Sequence, residues 1–269
     1  MEQNTIVFND TIAKNYDDLL GPFIFEPYAV DLVKRVDLTK VDKVLEIASG
    51  TGRVTKHLSE KLPSGAMLTA TDLNPGMLAL AAERIANKNI EWQTADMQSL
   101  PFEDNIFDLV VCQFGIMFPP DRIKALQEAR RVLKPGGQLI FNTWGPIEQN
   151  HAWQITSEVV NSFMGNTASD TFRNGPFSLD NEKVVLELLH EAGFDDNNAV
   201  SVTLTSETLS AAGAAKGFIE GLPILGVIKA NIPQLLPVIL EKLEKEFNLQ
   251  LGEQLLKTRL NALVFSSVK

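Results

Sequence analysis

The sequence predicts an α/β fold, an open and mostly parallel sheet wound with helices on both faces. Three observations predict it. Short apolar runs alternate with helical stretches over about a hundred residues from Val44 onward. The first run, Val44-Leu45-Glu46-Ile47, leads into Ala48-Ser49-Gly50-Thr51-Gly52-Arg53, a tight turn that opens a helix. The second run, Met67 to Thr71, ends in Asp72, some twenty residues past Gly50, where a Rossmann-type site places the acid that holds ribose hydroxyls.

Each element follows from local chemistry. Residues 5–20 predict a helical arm with Ile6, Ala13 and Tyr16 on one side, stopped by Gly21-Pro22. A second helix over 25–36 turns Tyr28, Leu32 and Val33 inward. The arm 1–36 covers a sheet edge on one reading; on the other, Tyr16 also roofs the ligand. The first strand spans 43–47 and its helix 52–62, and Pro63-Ser64-Gly65 turns back to a second strand at 67–71. Asn74 caps the next helix with Pro75 at its first position, and that Ala-rich helix runs to about 86. A third strand, Ile90 to Thr94, leads to Ala95-Asp96-Met97, and Leu100-Pro101-Phe102 forms a loop. The fourth strand, Phe107 to Cys112, is apolar enough to be central and runs into Gln113-Phe114-Gly115. Pro119 and Pro120 open a helix ending near Leu133; Lys134-Pro135-Gly136-Gly137 is a turn, and the fifth strand spans Gln138 to Thr143.

After Trp144 the rhythm changes. A helix spans 150–165, a loop Phe172 to Phe177, a helix Asp180 to Ala192 closed by Gly193, and a sixth strand Val200 to Thr205. Helices over 209–250 are broken at Gly221, Pro223, Pro233 and Pro237, and an alternating stretch over 257–268 is the last strand. The apolar segment 206–252 is thus a helical insertion before the last strand. It either caps the carboxyl rim of the sheet or forms a homodimer interface.

Composition limits the function. At 269 residues and 45% hydrophobic, the chain is long enough for one large domain, taken as 1–269. A net charge of −10 excludes a nucleic-acid surface and disfavours docking on anionic membrane. The single Cys112 forms no intrachain disulfide, and no leader or membrane-length apolar run is expected, which suggests a cytoplasmic protein. No His/Cys/Asp/Glu cluster has metal-ligand spacing, so no metal is expected. The third glycine of the dinucleotide fingerprint would fall at Thr55, which disfavours a nicotinamide or flavin cofactor.

In an open α/β sheet, ligands bind outside the carboxyl ends of the strands. Glu46 to Gly52, Asp72, Asp96 and Gln113-Phe114-Gly115 all fall there. Asp72 suits ribose hydroxyls, and Leu73 and Met77 offer apolar contact to a base. Asp96 suits an exocyclic amine and the Met97 N–H a ring nitrogen.

This pattern resembles the class I S-adenosylmethionine-dependent methyltransferases. "LEIASGTGR" is similar to that family's first motif, "TATDLNPGML" to its second, and "TADMQSLPFEDNIFDLVVCQFGIMF" to its adenine-binding acid and fourth strand. "RRVLKPGGQLIFNTW" resembles the fifth-strand turn, and "AKNYDDLLGP" the N-terminal segment of the UbiE-like small-molecule branch. Ala48 departs from the pattern, since the family usually has glycine there. The resemblance implies a Rossmann-like, doubly wound seven-stranded mixed sheet with the last strand antiparallel. It implies S-adenosyl-L-methionine as cofactor, with Glu46, Ala48, Gly50, Gly52, Arg53, Gln113, Phe114 and Gly115 around its methionine part and Asp72 and Asp96 on its adenosine.

The expected activity is methyl transfer to a small, apolar or aromatic acceptor by in-line displacement. A general base is needed only where the acceptor keeps a proton. His151, just past the fifth strand, is the candidate base; a plain helix-start role is the alternative. His57 is expected on the surface, and His190 near a helix C-terminus. The rival reading is a non-catalytic S-adenosylmethionine-binding or scaffold protein that dimerises through 206–252.

Overall fold

The computed structural model describes residues 14–85 and 89–269, so the expectations for Ile6 and Ala13, and the end of the helix near residue 86, lie outside the described residues. Among the described residues, seven strands form one sheet: β1 Lys43–Ile47, β2 Met67–Asp72, β3 Ile90–Thr94, β4 Phe107–Gln113, β5 Leu133–Trp144, β6 Asp196–Ser206 and β7 Thr258–Val268. Their order is β3-β2-β1-β4-β5-β7-β6. Strands β1 to β5 pair in parallel, and β7 runs antiparallel to β5, from Gln138↔Val268 to Trp144↔Ala262. The chain leaves β1 toward β2 and β3, then returns to β4 on the other side. The carboxyl ends of β1 and β4 are therefore the switch point at which a crevice opens.

The chain divides into two interleaved compact units. One comprises Glu26–Pro146, Gly175–Thr203 and Asn261–Lys269. Its core is the apolar middle of the sheet: Val44, Leu45, Leu109 to Cys112, Leu139 to Phe141 and Phe265 are buried. A continuous apolar run is what a strand covered on both faces requires. Asp108 ties the start of β1 to β4 and β5, accepting from the Lys43 N–H at 2.9 Å and from Lys134 Nζ at 2.6 Å. Gly145 ends β5 against β7: a Cβ there would lie 1.8 Å from Asn261 Oδ1, and Asn261 is itself held by Ser201 and Thr203.

The other unit comprises residues up to Phe25, Ile147–Asn174 and Leu204–Leu260. Phe218, fully buried on helix Ala211–Glu220, is its hub; its ring meets Phe23, Trp153 and Phe247 edge-on, with centroids 5.1–6.5 Å apart. Gly217 lets that helix approach Leu19 and Leu20, since a Cβ would meet their side chains at 3.0–3.1 Å. In the apolar segment 206–252, Phe218, Ile219, Leu222, Ile224, Leu225 and Ile239 are buried, while Val238 is exposed. Among the described residues no single helix is long and apolar enough to cross a membrane.

Four local expectations are corrected. Gly21-Pro22 does not stop the first helix. Residues Tyr16–Phe25 continue as a π-helix through both. The wider π turn relieves the proline ring of the carbonyl four residues back, and burial of Leu20, Phe23 and Ile24 holds the turn. The helix expected to open at Pro119-Pro120 opens at Arg122, after Asp121 takes the Lys124 N–H as its cap. Residues Thr167–Arg173 form a helix, so the expected loop begins only after Arg173. The turn at Lys134 to Gly137 is a bulge inside β5: pairing jumps from Phe107↔Leu133 to Leu109↔Gln138, with Gly136 at φ 79. Smaller differences lie at Pro237, which sits in the first turn of helix Leu236–Leu251 rather than breaking it, and at β6, which starts at Asp196.

Candidate functional site

The site is built at the carboxyl ends of β1, β2 and β4, within the unit that holds the parallel strands. The turn after β1 is tightly tied. The Ser49 N–H donates to Thr71 O, the Gly52 N–H to Ser49 O at 2.9 Å, and the Gly50 N–H to Asp72 Oδ2, the first and last at 2.8 Å. The glycine turn and the acid of β2 are thus one hydrogen-bonded unit. Asp72 Oδ1 accepts from Asn74 N–H at 2.8 Å, so both carboxylate oxygens are oriented while each keeps a further lone pair. Burial pushes the Asp72 carboxyl above the usual carboxylate range, and the N–H groups of Asn74, Gly50 and Leu73 oppose that push.

The two glycines have different work. Gly50, at φ +55, has nothing within 4 Å of where a Cβ would stand. Gly52, at φ +83, has that space occupied: a Cβ would lie 2.7 Å from Ile85 Cδ1 and 3.0 Å from Ala81 Cβ. The open glycine borders unfilled space, while the other allows helix Arg53–Lys61 to pack on its neighbour. Ala48 adopts φ 54, the left-handed region where glycine is at ease and alanine is strained. Its methyl is matched by Gly115, where a Cβ would lie 2.6 Å from Ala48 Cβ and 3.7 Å from Met97 Cε. Ala48, Gly115 and Met97 therefore converge.

Glu46 is buried in the sheet, and its Oε2 has no hydrogen-bond partner among the described residues. Burial pushes its carboxyl up to about 8, Thr55 opposes the rise, and the nearby Asp72 charge adds to it. Such a group, protonated and unsatisfied when alone, suits a ligand ammonium. The Ser49 hydroxyl is likewise buried without a partner among the described residues. Cys112 behind them is buried, and that burial pushes its thiol up to about 12, so it is inert packing.

The other expected residues fall as follows. Leu73 is 61% exposed at the rim, and Met77 is buried. Asp96 Oδ1 takes the Gln98 N–H at 2.8 Å, which shapes the turn after β3, and Met97 follows half-buried. Gln113 ends β4 beside Asn142 of β5. The Phe114 ring turns into the core, stacking on Trp144 at 3.9 Å with Tyr28 edge-on at 5.5 Å; its backbone, at φ 50, is what remains at the strand end. Arg53 Nη1 donates to Glu26 Oε2 at 3.1 Å. His57 departs from its expected surface role, lying half-buried and bonded through Nε2 to Glu26 Oε1 at 2.7 Å. Tyr16 and His151 belong to the other unit: Tyr16 packs on Phe25 at 4.7 Å, and His151 is the exposed first residue of helix His151–Met164.

Sequence reasoning passed over Ser49 and Asn142. Asn142 is fully buried, accepts the Phe114 N–H through Oδ1 at 2.9 Å, and so fixes the turn after β4. Its signal was present: an amide directly after the apolar run Leu139-Ile140-Phe141, inside the expected strand.

Residues 45–141 match the family described as methyltransferase domain. The chain is 36% identical over 141 residues to the ubiquinone/menaquinone biosynthesis C-methyltransferase UbiE of Francisella philomiragia, spanning 50% of this chain and 56% of that protein. It therefore spans little more than half the length of that relative. The UbiE of Cupriavidus taiwanensis is 32% identical over 164 residues, 58% of this chain and 67% of that one. Among solved structures, Haemonchus contortus phosphoethanolamine N-methyltransferase 2 in complex with S-adenosyl-L-methionine superposes with a TM-score of 0.63 at 19% identity, over 97% of this chain and 57% of that one. At that identity the likeness is one of fold.

Proposed function

Since the chain belongs to the UbiE-type methyltransferase family, we propose that it transfers a methyl group from S-adenosyl-L-methionine to a small, apolar or aromatic, quinone-type acceptor. The observation that carries this reading is the buried Glu46 carboxyl, whose Oε2 has no partner among the described residues, beside the turn in which Gly50 N–H is fastened to Asp72. Glu46 pairs with the ammonium of the cofactor, and the Gly50 turn with Gln113 borders its methionine part. Asp72 accepts from the ribose hydroxyls, Leu73 and Met77 flank the adenine, and Asp96 with the Met97 N–H reads its edge.

The bound sulfonium supplies a methyl group already activated for displacement. The residues of the chain have to align the acceptor in line with it and keep water away. The Ala48 methyl, where the family usually has glycine, faces Gly115 at the methionine end, since a Cβ on Gly115 would lie 2.6 Å from it. The quinone-type acceptor follows the names of the Francisella and Cupriavidus relatives, and the acidic chain, with net charge −10, suits a neutral ring better than a polyanion.

Calorimetric titration with S-adenosylmethionine and S-adenosylhomocysteine tests the cofactor; micromolar binding of both is expected. Transfer of labelled methyl to naphthohydroquinone tests the activity, and a methylated product is expected. Ala48, where the family usually has glycine, favours a second reading, a protein that binds the cofactor without turnover. Binding of both ligands with no methylated product across phenols and quinols would select it.

A further inference from the structure

Asn142 has more capacity than the fold uses. It lies fully buried near the carboxyl end of β5. Its Oδ1 accepts the Phe114 N–H at 2.9 Å, and its own carbonyl oxygen shares that donor at 3.2 Å. An N–H must face an oxygen, so the carboxamide orientation is fixed and Nδ2 is the other branch. Nδ2 has no hydrogen-bond partner among the described residues. Buried amide donors are rarely left so, because the lost water is not replaced.

Register places this donor. Glu46 pairs with Val111 of β4, and Asn142 with Gln113, two residues further along β4. Side chains two apart share a face, so Glu46, Gln113 and Asn142 lie on one face of the sheet. Across that sheet, in the order β3, β2, β1, β4, β5, come Asp96 two residues past the end of β3, then Asp72, Glu46, Gln113 and Asn142 on their strands. Adenine, ribose and ammonium are assigned to the first three. The methyl-bearing sulfur of that cofactor lies between its ribose and its ammonium; Gln113 and Asn142 continue the row on the β4 and β5 side of Glu46, and its last member is an amide donor.

We propose that Asn142 Nδ2 donates a hydrogen bond to an oxygen borne by the methyl acceptor, and so selects an oxygen-substituted ring; this rests on the methyltransferase reading above. Gln113 lies between this donor and the cofactor end of the row, and Phe114 N–H keeps the carboxamide from turning. The acceptor class that matches is a ring carrying a hydroxyl or carbonyl next to the carbon or oxygen that is methylated.

The test uses full-length protein saturated with S-adenosylhomocysteine and titrated, under reducing conditions, with naphthohydroquinone and with naphthalene. Wild type should bind the hydroquinone about tenfold tighter or more. Asn142→Asp keeps an oxygen for Phe114 N–H but removes the amide donor. It should lose most of that preference and raise the acceptor KM more than it lowers kcat, with S-adenosylhomocysteine affinity within about twofold of wild type. An independent reading needs no variant: in protein with isotope-labelled asparagine, one buried side-chain amide should shift with naphthohydroquinone and not with naphthalene. Equal binding of the two rings by wild type, or no shifted amide, would overturn the proposal alone. Failure of wild type to bind S-adenosylhomocysteine would overturn the methyltransferase reading and this proposal with it.

Discussion

Single atoms at this site already set measurable quantities. Asp72 has each carboxylate oxygen oriented by a backbone N–H, from Gly50 and Asn74. Asp72→Ala removes the acceptor for ribose and should weaken S-adenosylmethionine binding by about 1–3 kcal/mol in a calorimetric titration. An unchanged affinity would mean the ribose lies elsewhere. Glu46 makes a different prediction, because its carboxyl is pushed up to about 8 by burial. In the unfolded chain it titrates in the ordinary carboxylate range, so between that range and about pH 8 the folded state binds the extra proton. Its contribution to stability is therefore present at low pH and lost as pH rises through about 8. Glu46→Gln should leave Tm near wild type at about pH 5 and raise it relative to wild type at about pH 9. The same variant should bind S-adenosylmethionine more weakly at both values, since the amide offers the ammonium no charge. A Tm difference that does not widen with pH would mean that Glu46 is ionised in the free protein.

At the scale of elements, the strand-turn-helix unit after β1 separates two uses of glycine. Gly50→Ala meets open space and bears only the strain of φ +55, about 1–2 kcal/mol. Gly52→Ala would drive a methyl to 2.7 Å from Ile85 and 3.0 Å from Ala81. Thermal unfolding with ligand titration should therefore show Gly50→Ala folding with cofactor affinity reduced, and Gly52→Ala losing stability first. The reverse order would reassign the ligand-facing glycine. These elements were legible in the sequence because each carries its own signal: the apolar β4 run, the acid closing β2, and Asn74-Pro75, which does cap a helix through the Gly76 and Met77 N–H groups. What was not legible depends on partners distant in the chain. Gly21-Pro22 signals a stop, yet the turn is held as a π-helix by buried Leu20, Phe23 and Ile24. The bulge at Lys134 to Gly137 exists only because β4 and β5 resume pairing at Leu109↔Gln138. Phe114 followed the site motif in sequence, and only the positions of Trp144 and Tyr28 show its ring belongs to the core.

For the whole molecule, the two compact units are interleaved along the chain. It passes from one to the other after Phe25, Pro146, Asn174, Thr203 and Leu260. Neither unit is a continuous stretch, and two of these passages fall inside strands, β6 (Asp196–Ser206) and β7 (Thr258–Val268). Unfolding either unit alone would have to break strands β6 and β7 part-way along their length, where the chain crosses between units. The chain should therefore unfold in a single calorimetric transition, with equal van't Hoff and calorimetric enthalpies. Ligand binding adds to this. S-adenosylhomocysteine at about a hundred times its Kd adds about 2.7 kcal/mol to the state that binds it. If unfolding is all-or-none, that increment moves the whole transition upward by a few degrees and leaves no unshifted shoulder. Phe218→Ala, which opens the aromatic hub of the helical unit, should lower the same transition as one piece, by an amount corresponding to about 3–5 kcal/mol. Two resolved transitions, only one of them raised by S-adenosylhomocysteine and only the other lowered by Phe218→Ala, would show that the interleaving does not couple the units. The apolar segment 206–252 would then be free to open without disturbing the strands that carry Glu46 and Asp72.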